Sequence, residues 1–226
     1  MPRESFDRHL KELQDEVLVL GSMVEKAIAR SIDALKARDL EQAKQIIVDD
    51  GKVNQKRFDI ENLCIELIAT QQPMAGDLRT IVAVLYVIGE LERIGDYASG
   101  ISNIVLMIGD EPPLKPLVDL PRMAQKTEEM LRRSLDALVR RDAEAARQIS
   151  GEDDEVDNLY DQVFRELITF MVEDPRTITR ATRLIWVAHN LERAADRVTN
   201  ICERVIFTVT GKMVELDVKE PGLSGA

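Results

Sequence analysis

Ser31-Ile-Asp-Ala-Leu-Lys-Ala-Arg-Asp-Leu-Glu-Gln-Ala-Lys-Gln-Ile-Ile-Val-Asp-Asp-Gly-Lys-Val53 returns 103 positions later as Ser134-Leu-Asp-Ala-Leu-Val-Arg-Arg-Asp-Ala-Glu-Ala-Ala-Arg-Gln-Ile-Ser-Gly-Glu-Asp-Asp-Glu-Val156, with 12 of 23 positions identical. That density of identity marks an internal duplication. Further on the offset shortens to 100: Glu66-Leu-Ile recurs as Glu166-Leu-Ile, and Leu91-Glu-Arg-x-x-Asp96 as Leu191-Glu-Arg-x-x-Asp196. Three residues are therefore missing from the second helix of the second copy. At about 100° per residue the loss turns the following face by about 60°, which a packed helix can absorb.

Outward from the repeat, apolar residues advance by threes and fours over six long segments, with Pro or Gly mostly between them. The first runs from about Ser5 to Ala37, through Leu10, Leu13, Val17, Leu20, Val24, Ile28 and Ile32. Asp39 can cap the second, with Gln42 closing a capping box, and its stripe passes Ile46, Val53 and Leu63 before Pro73 ends it. The third, about Gly76 to Ile108, is apolar nearly all round over Ile81–Ile88, as suits a helix enclosed by neighbours. Four prolines in 109–121 (Pro112, Pro113, Pro116 and Pro121) cannot continue a helix and read as a stiff linker. The same order then recurs: a helix from about Arg122 to Arg140, one from Asp142 to Val172, the break Asp174-Pro175, and a last one from Thr177 to about Thr208. The expected organisation is all-α, a tandem repeat of two antiparallel three-helix bundles, with repeats at 1–108 and 122–209, the linker at 109–121 and a tail at 210–226.

Composition narrows the function. Thirty Lys and Arg against 41 Asp and Glu give a net charge of −11, which argues against a grip on nucleic acid phosphates. Two cysteines, Cys64 and Cys202, make no disulfide framework and suit a reducing cytoplasm. The charged amino terminus has no apolar stretch of a signal peptide, and the apolar run Ile81–Ile88 is less than half of the roughly 20 residues that span a bilayer.

The most informative local feature is Glu92-Arg-Ile-Gly-Asp96 with its echo Glu192-Arg-Ala-Ala-Asp196. Residues four apart share a helix face, so each motif aims two carboxylates the same way. Taken singly, such carboxylates commonly pair with neighbours like Arg93 and Arg193 at the surface, for under about 1 kcal/mol. Here the motif occurs twice, on the most apolar helix of each repeat, and the preceding helices offer Asp50 and Asn54, or Asp153 and Asp157, again four apart. Antiparallel neighbours could gather these oxygens at one point, and an all-oxygen set suits hard cations such as Mg²⁺, Ca²⁺, Mn²⁺ or iron. Asn103 would extend the first site, and Asn200, Glu203 and His189 the second.

The duplicated three-helix unit, the two Leu-Glu-Arg-x-x-Asp elements, the Asp-x-x-Val-Asn/Asp elements at 50–54 and 153–157, and Pro73-Met-Ala-Gly-Asp77-Leu-Arg79 resemble the PhoU family from the first helix to about Phe207. The resemblance implies a cytoplasmic, non-enzymatic, homodimer-forming regulator of phosphate uptake and of the phosphate-starvation response. Such a protein links the ATPase subunit of a phosphate ABC transporter to a sensor histidine kinase, binds no nucleic acid, and meets the membrane only through partners. It also implies divalent or trivalent metal ions, with iron, zinc, manganese and magnesium as candidates, held by Asp50, Glu92 and Asp96 in the first repeat and by Asp153, Asp157, Glu192 and Asp196 in the second. Asn54 departs from an acid and weakens the first site, and Thr177-Ile-Thr179 stands where the first repeat has Asp77-Leu-Arg79.

Two alternatives remain at this level. One is a di-metal carboxylate enzyme, although no Glu-x-x-His pair of the ferritin-like kind occurs and His9 and His189 fall in separate repeats. The other is a purely structural helical interaction protein whose carboxylates are all solvated.

Overall fold

A computed structural model describes residues 3–216, and within them seven α-helices and a single 3₁₀ turn. Helices α1 (Arg3–Ala37), α2 (Leu40–Gln71) and α3 (Gly76–Ile108) form the first repeat. Helices α4 (Asp119–Arg140), α5 (Ala143–Ser150), α6 (Asp153–Glu173) and α7 (Ile178–Thr210) form the second, with the 3₁₀ turn Pro175–Thr177 before α7. Of the tail, the stretch 217–226 with Gly222 and Gly225 lies outside the described residues.

The duplicated Arg-Asp pair explains the first corner of each bundle. Arg38 (φ 57°) and Arg141 (φ 54°) take the left-handed conformation that ends a helix, and the next amide reaches five residues back, Asp39 N to Ala34 O and Asp142 N to Ala137 O, both 2.9 Å. The same aspartates then start the following helix. The Asp39 carboxylate accepts from Gln42 N at 2.9 Å, and that of Asp142 from Glu144 N and Ala145 N at 3.1 and 2.9 Å.

Three details differ from the sequence reading. Helix α4 begins at Asp119, so Pro121 sits in its first turn, where a missing N–H costs nothing. The long fifth segment is divided at Gly151-Glu152 into α5 and α6: Gly151, a weak helix former, stands where the first repeat has Val48. The buried stripe of α2 passes through Ile60, Cys64 and Leu67, whereas Leu63 is exposed.

Within each repeat three helical rods pack on one another, and the repeats join along two seams, α3 against α7 and α1 against α4. At each seam a helix meets its own counterpart, while α2 and α5–α6 stay on the outer sides. Along the α3–α7 seam Tyr86 faces Arg204, Glu90 faces Arg197 and Asn200, and Tyr97 faces Arg193. Numbers fall in one helix as they rise in the other, so the pair is antiparallel, the pattern expected of two copies related by a local two-fold. One continuous core of Leu, Ile, Val, Ala and Met runs through both repeats, which explains why α3 is apolar nearly all round.

Candidate metal centre

In the second repeat, Asp153 and Asp157 project from the first turns of α6, and Asp196 from the middle of α7. One ligand oxygen from each lies within 4.8 Å of the others. Asp153 is 7% exposed, the other two half-buried. The antiparallel register sets Asp153 opposite Asp196 and Asp157 opposite Glu192.

The entry to α6 is anchored from α4. Lys126 reaches Glu152 at 2.8 Å and Glu155 at 3.0 Å, and Arg133 Nη1 donates to both Glu152 oxygens at 2.7 and 2.9 Å. Burial alone would raise the Glu152 carboxyl, but these hydrogen bonds and charges outweigh it and hold it below its ordinary value. Charge-assisted pairs of this kind fix geometry well, and here they fix the residue next to Asp153.

Glu192 stands outside the 4.8 Å cluster, one turn along α7. Its Oε2 lies 3.3 Å from Nδ1 of His189, and the rings of His189 and Tyr160 lie 6.1 Å apart. Burial, then the charges of Glu192 and Asp161, push the Tyr160 hydroxyl above its usual range. Tyr160 is a neighbour the sequence did not single out; only its position, seven residues after Asp153, could have pointed to it.

In the first repeat Asp50, Asn54, Glu92 and Asp96 occupy the corresponding helices. Asn54 Nδ2 donates to Asp50 Oδ2 at 3.3 Å. Burial raises all three carboxyls above their ordinary values; the charge of Asp96 adds to the rise at Asp50 and Glu92, while Arg93 moderates Glu92 and Asp96. Gly95 permits the close approach of α2 and α3: a β-carbon there would stand 3.2 Å from Val53 Cγ1 and 3.6 Å from Asp50 Oδ1. Among the described residues the 4.8 Å cluster forms in the second repeat alone.

Three other expected contributors face elsewhere. Asn200 Nδ2 donates to Glu90 across the seam at 3.2 Å, Glu203 Oε1 accepts from Leu216 N at 2.9 Å, and Asn103 Nδ2 turns back to Ser99 O. Each is drawn to a nearer polar partner, a competition that motif spacing does not register.

The donor set fits a hard cation. Oxygens bound to one Ca²⁺ at about 2.3–2.6 Å are at most about 5 Å apart, and Mg²⁺ or Mn²⁺ would need the three carboxylates to close further. Two of the oxygens come from one helix and one from its neighbour, so an ion there would tie α6 to α7.

A PhoU domain model matches residues 17–105 and again 120–205, the two structural repeats. The chain is 38% identical over 218 residues to the phosphate-specific transport system accessory protein PhoU homolog of Clostridium acetobutylicum, covering 96% of this chain and 100% of the relative. It is 36% identical to the PhoU protein of Escherichia coli K12, covering 92% and 86%. Among solved structures, the phosphate transport system regulatory protein PhoU from Streptococcus pneumoniae superposes with a TM-score of 0.86 at 32% identity, over 93% of this chain and 99% of that one. PhoU from Pseudomonas aeruginosa gives 0.86 at 34%, over 92% and 100%. The duplicated bundle and the matches to both halves make this chain a member of the PhoU family.

Proposed function

We propose that the chain is a regulatory accessory protein of phosphate transport, acting from the cytoplasm as a homodimeric adaptor between the ATPase subunit of a phosphate ABC transporter and a sensor histidine kinase. In this role it damps uptake and the starvation response when phosphate is plentiful, and it performs no turnover of its own. The observation that carries the reading is likeness over nearly the full length of relatives named as accessory proteins of phosphate-specific transport. No helix among the described residues is long and apolar enough to cross a membrane, which accords with contact through partners. Deleting the gene in its host and measuring phosphate uptake and starvation-gene expression at high phosphate tests the role. Both should rise, and unchanged values would overturn the reading.

We further propose that the carboxylates hold divalent or trivalent ions: Asp153, Asp157 and Asp196 with Glu192 nearby in the second repeat, and Asp50, Glu92 and Asp96 in the first. Convergence of three carboxylates from two helices supports the second site. A cation there would relieve their mutual repulsion and tie α6 to α7, so its effect should show as stabilisation. The check is a melting scan with Mn²⁺ on the wild type and on Asp196→Asn: the wild type should gain stability and the variant gain far less.

A further inference from the structure

Between α1 and α2 runs a groove of about 530 Å³, floored by Leu13, Leu63 and Leu67 and rimmed by Glu12, Glu16 and Glu66. The duplication supplies its counterpart. With the offsets of 103 and 100 residues, Glu12 and Glu16 correspond to Lys115 and Asp119, and Leu63, Glu66 and Leu67 to Val163, Glu166 and Leu167.

In the second repeat that place is filled. Helix α1 starts at Arg3, but α4 starts only at Asp119, and the chain before it runs non-helically through Pro112-Pro-Leu-Lys-Pro-Leu-Val118. Lys115, Leu117 and Val118 lie against Val163 and Leu167, leaving a cavity of only about 10 Å³. Leu114 and Leu117 pack onto the core. The Lys115 ammonium, 9% exposed, pairs with Glu166 and lies 3.7 Å from Asp119. The molecule thus contains one worked example of what this position accepts: an ammonium between carboxylates, with leucines beside it and prolines keeping the backbone extended.

In the first repeat the counterpart of that stretch, Glu12–Asp15, runs helically in α1, so Glu12 stands where the second repeat has Lys115 and, among the described residues, no ammonium meets Glu66. Glu66 is exposed and has no ion pair among the described residues, Glu12 has only an exposed contact with Arg8 at 4.0 Å, and Glu16 takes the ammonium of Lys56. We propose that the α1–α2 groove docks an extended, lysine-bearing segment of a partner protein, the lysine flanked by leucine and proline, with its ammonium at Glu66 and Glu12 and its apolar neighbours on Leu13, Leu63 and Leu67. The occupant comes from another protein because the chain's own segment of this kind is engaged in its own repeat, so a second copy could lend it only by undoing its own packing. The acidic rim on a chain of net charge −11 favours such a cationic segment. The proposal deepens the adaptor reading by giving it a docking surface and the chemistry of what docks there.

The test titrates the full chain with a capped peptide of the sequence Pro112–Val118, followed by calorimetry and by amide shifts in α1 and α2. Saturable binding is expected, weakened about tenfold or more by Glu66→Lys in the chain or by Lys115→Glu in the peptide, and regained when the two changes are combined. Glu66 is exposed, so an unchanged melting temperature confirms that the variant folds. No saturable binding, or equal binding to the Glu66→Lys chain, overturns the proposal. So does a Glu66→Lys chain whose sedimentation shows that copies had been pairing through the groove. The titration needs neither transporter, kinase nor metal, so its failure leaves the regulatory role standing, and failure of the gene deletion leaves the groove standing.

Discussion

Glu25 on α1 and Glu128 on α4 hold the same position in the two repeats, 103 residues apart, and their charges oppose one another across the α1–α4 seam. Burial first, then Glu25 and Asp33, raise the Glu128 carboxyl to about 7, and Arg132, 3.9 Å from Glu25, only moderates the rise. A carboxyl raised in the folded state binds its proton more tightly there than in the unfolded chain, so folding is favoured while the group is protonated. That contribution is complete below its ordinary value of 4.5 and is lost as pH rises through about 7. Glu128→Gln should therefore match the wild type in stability near pH 4.5 and exceed it by about 1–3 kcal/mol at pH 8. Denaturant unfolding at the two pH values checks this; a gain equal at both would show that the charge is not the cause.

The two seams tolerate added bulk differently. A β-carbon at Gly21 would fall 2.1 Å from Leu135 Cδ1, and Leu135 is a buried core side chain of the α1–α4 seam. A β-carbon at Gly100 would fall 2.9 Å from Asn190 Oδ1, the end of a half-buried polar side chain at the α3–α7 seam. Gly21→Val should thus cost about 1–3 kcal/mol through overpacking. Gly100→Ala should be neutral or slightly stabilising, because Asn190 can swing aside and alanine favours the helix by about 1 kcal/mol. Thermal melts of the two variants side by side check the contrast.

Much of this architecture was readable from the chain itself because a duplication tests its own reading. The Asp39 cap, the stripes of α1 and α3 and the break at Pro73 each follow from local chemistry. The division of the fifth helix was not legible. It is not a property of the local residues alone: Asp49 pairs with Arg30 at 2.9 Å at the corresponding place of the first repeat, yet α2 runs unbroken. The same limit held at the site. Spacing placed Asp153 with Asp157, and Glu192 with Asp196, on shared faces. It could not say that Asn200 would prefer Glu90, because that choice depends on which neighbour arrives from another helix.

Cys64 and Cys202 are both fully buried, and burial, with an acidic neighbour for each, pushes both thiols up to about 12. The thiolate is the reactive form, so neither should react with a disulfide reagent in the native protein at pH 8. Two equivalents should be released on unfolding in denaturant. Rapid labelling of either cysteine in native buffer would mean that its helix opens locally.

The last expectation concerns the inequality of the two repeats. Asp157 supplies a carboxylate where the first repeat has Asn54, whose amide instead donates to Asp50. Titration with Mn²⁺ should therefore resolve a tighter event that vanishes in Asp196→Asn and a weaker one that does not. Asn54→Asp replaces a donor by a fourth anion among three carboxyls already raised by burial, Asp50 and Glu92 also by the charge of Asp96. In the absence of metal it should lower stability at pH 8, and in saturating Mn²⁺ it should strengthen the weaker event by about tenfold, since each added carboxylate increases the attraction for a hard cation. The two effects have opposite signs, so loss of stability with and without metal alike would mean that the first-repeat carboxylates do not act together on an ion.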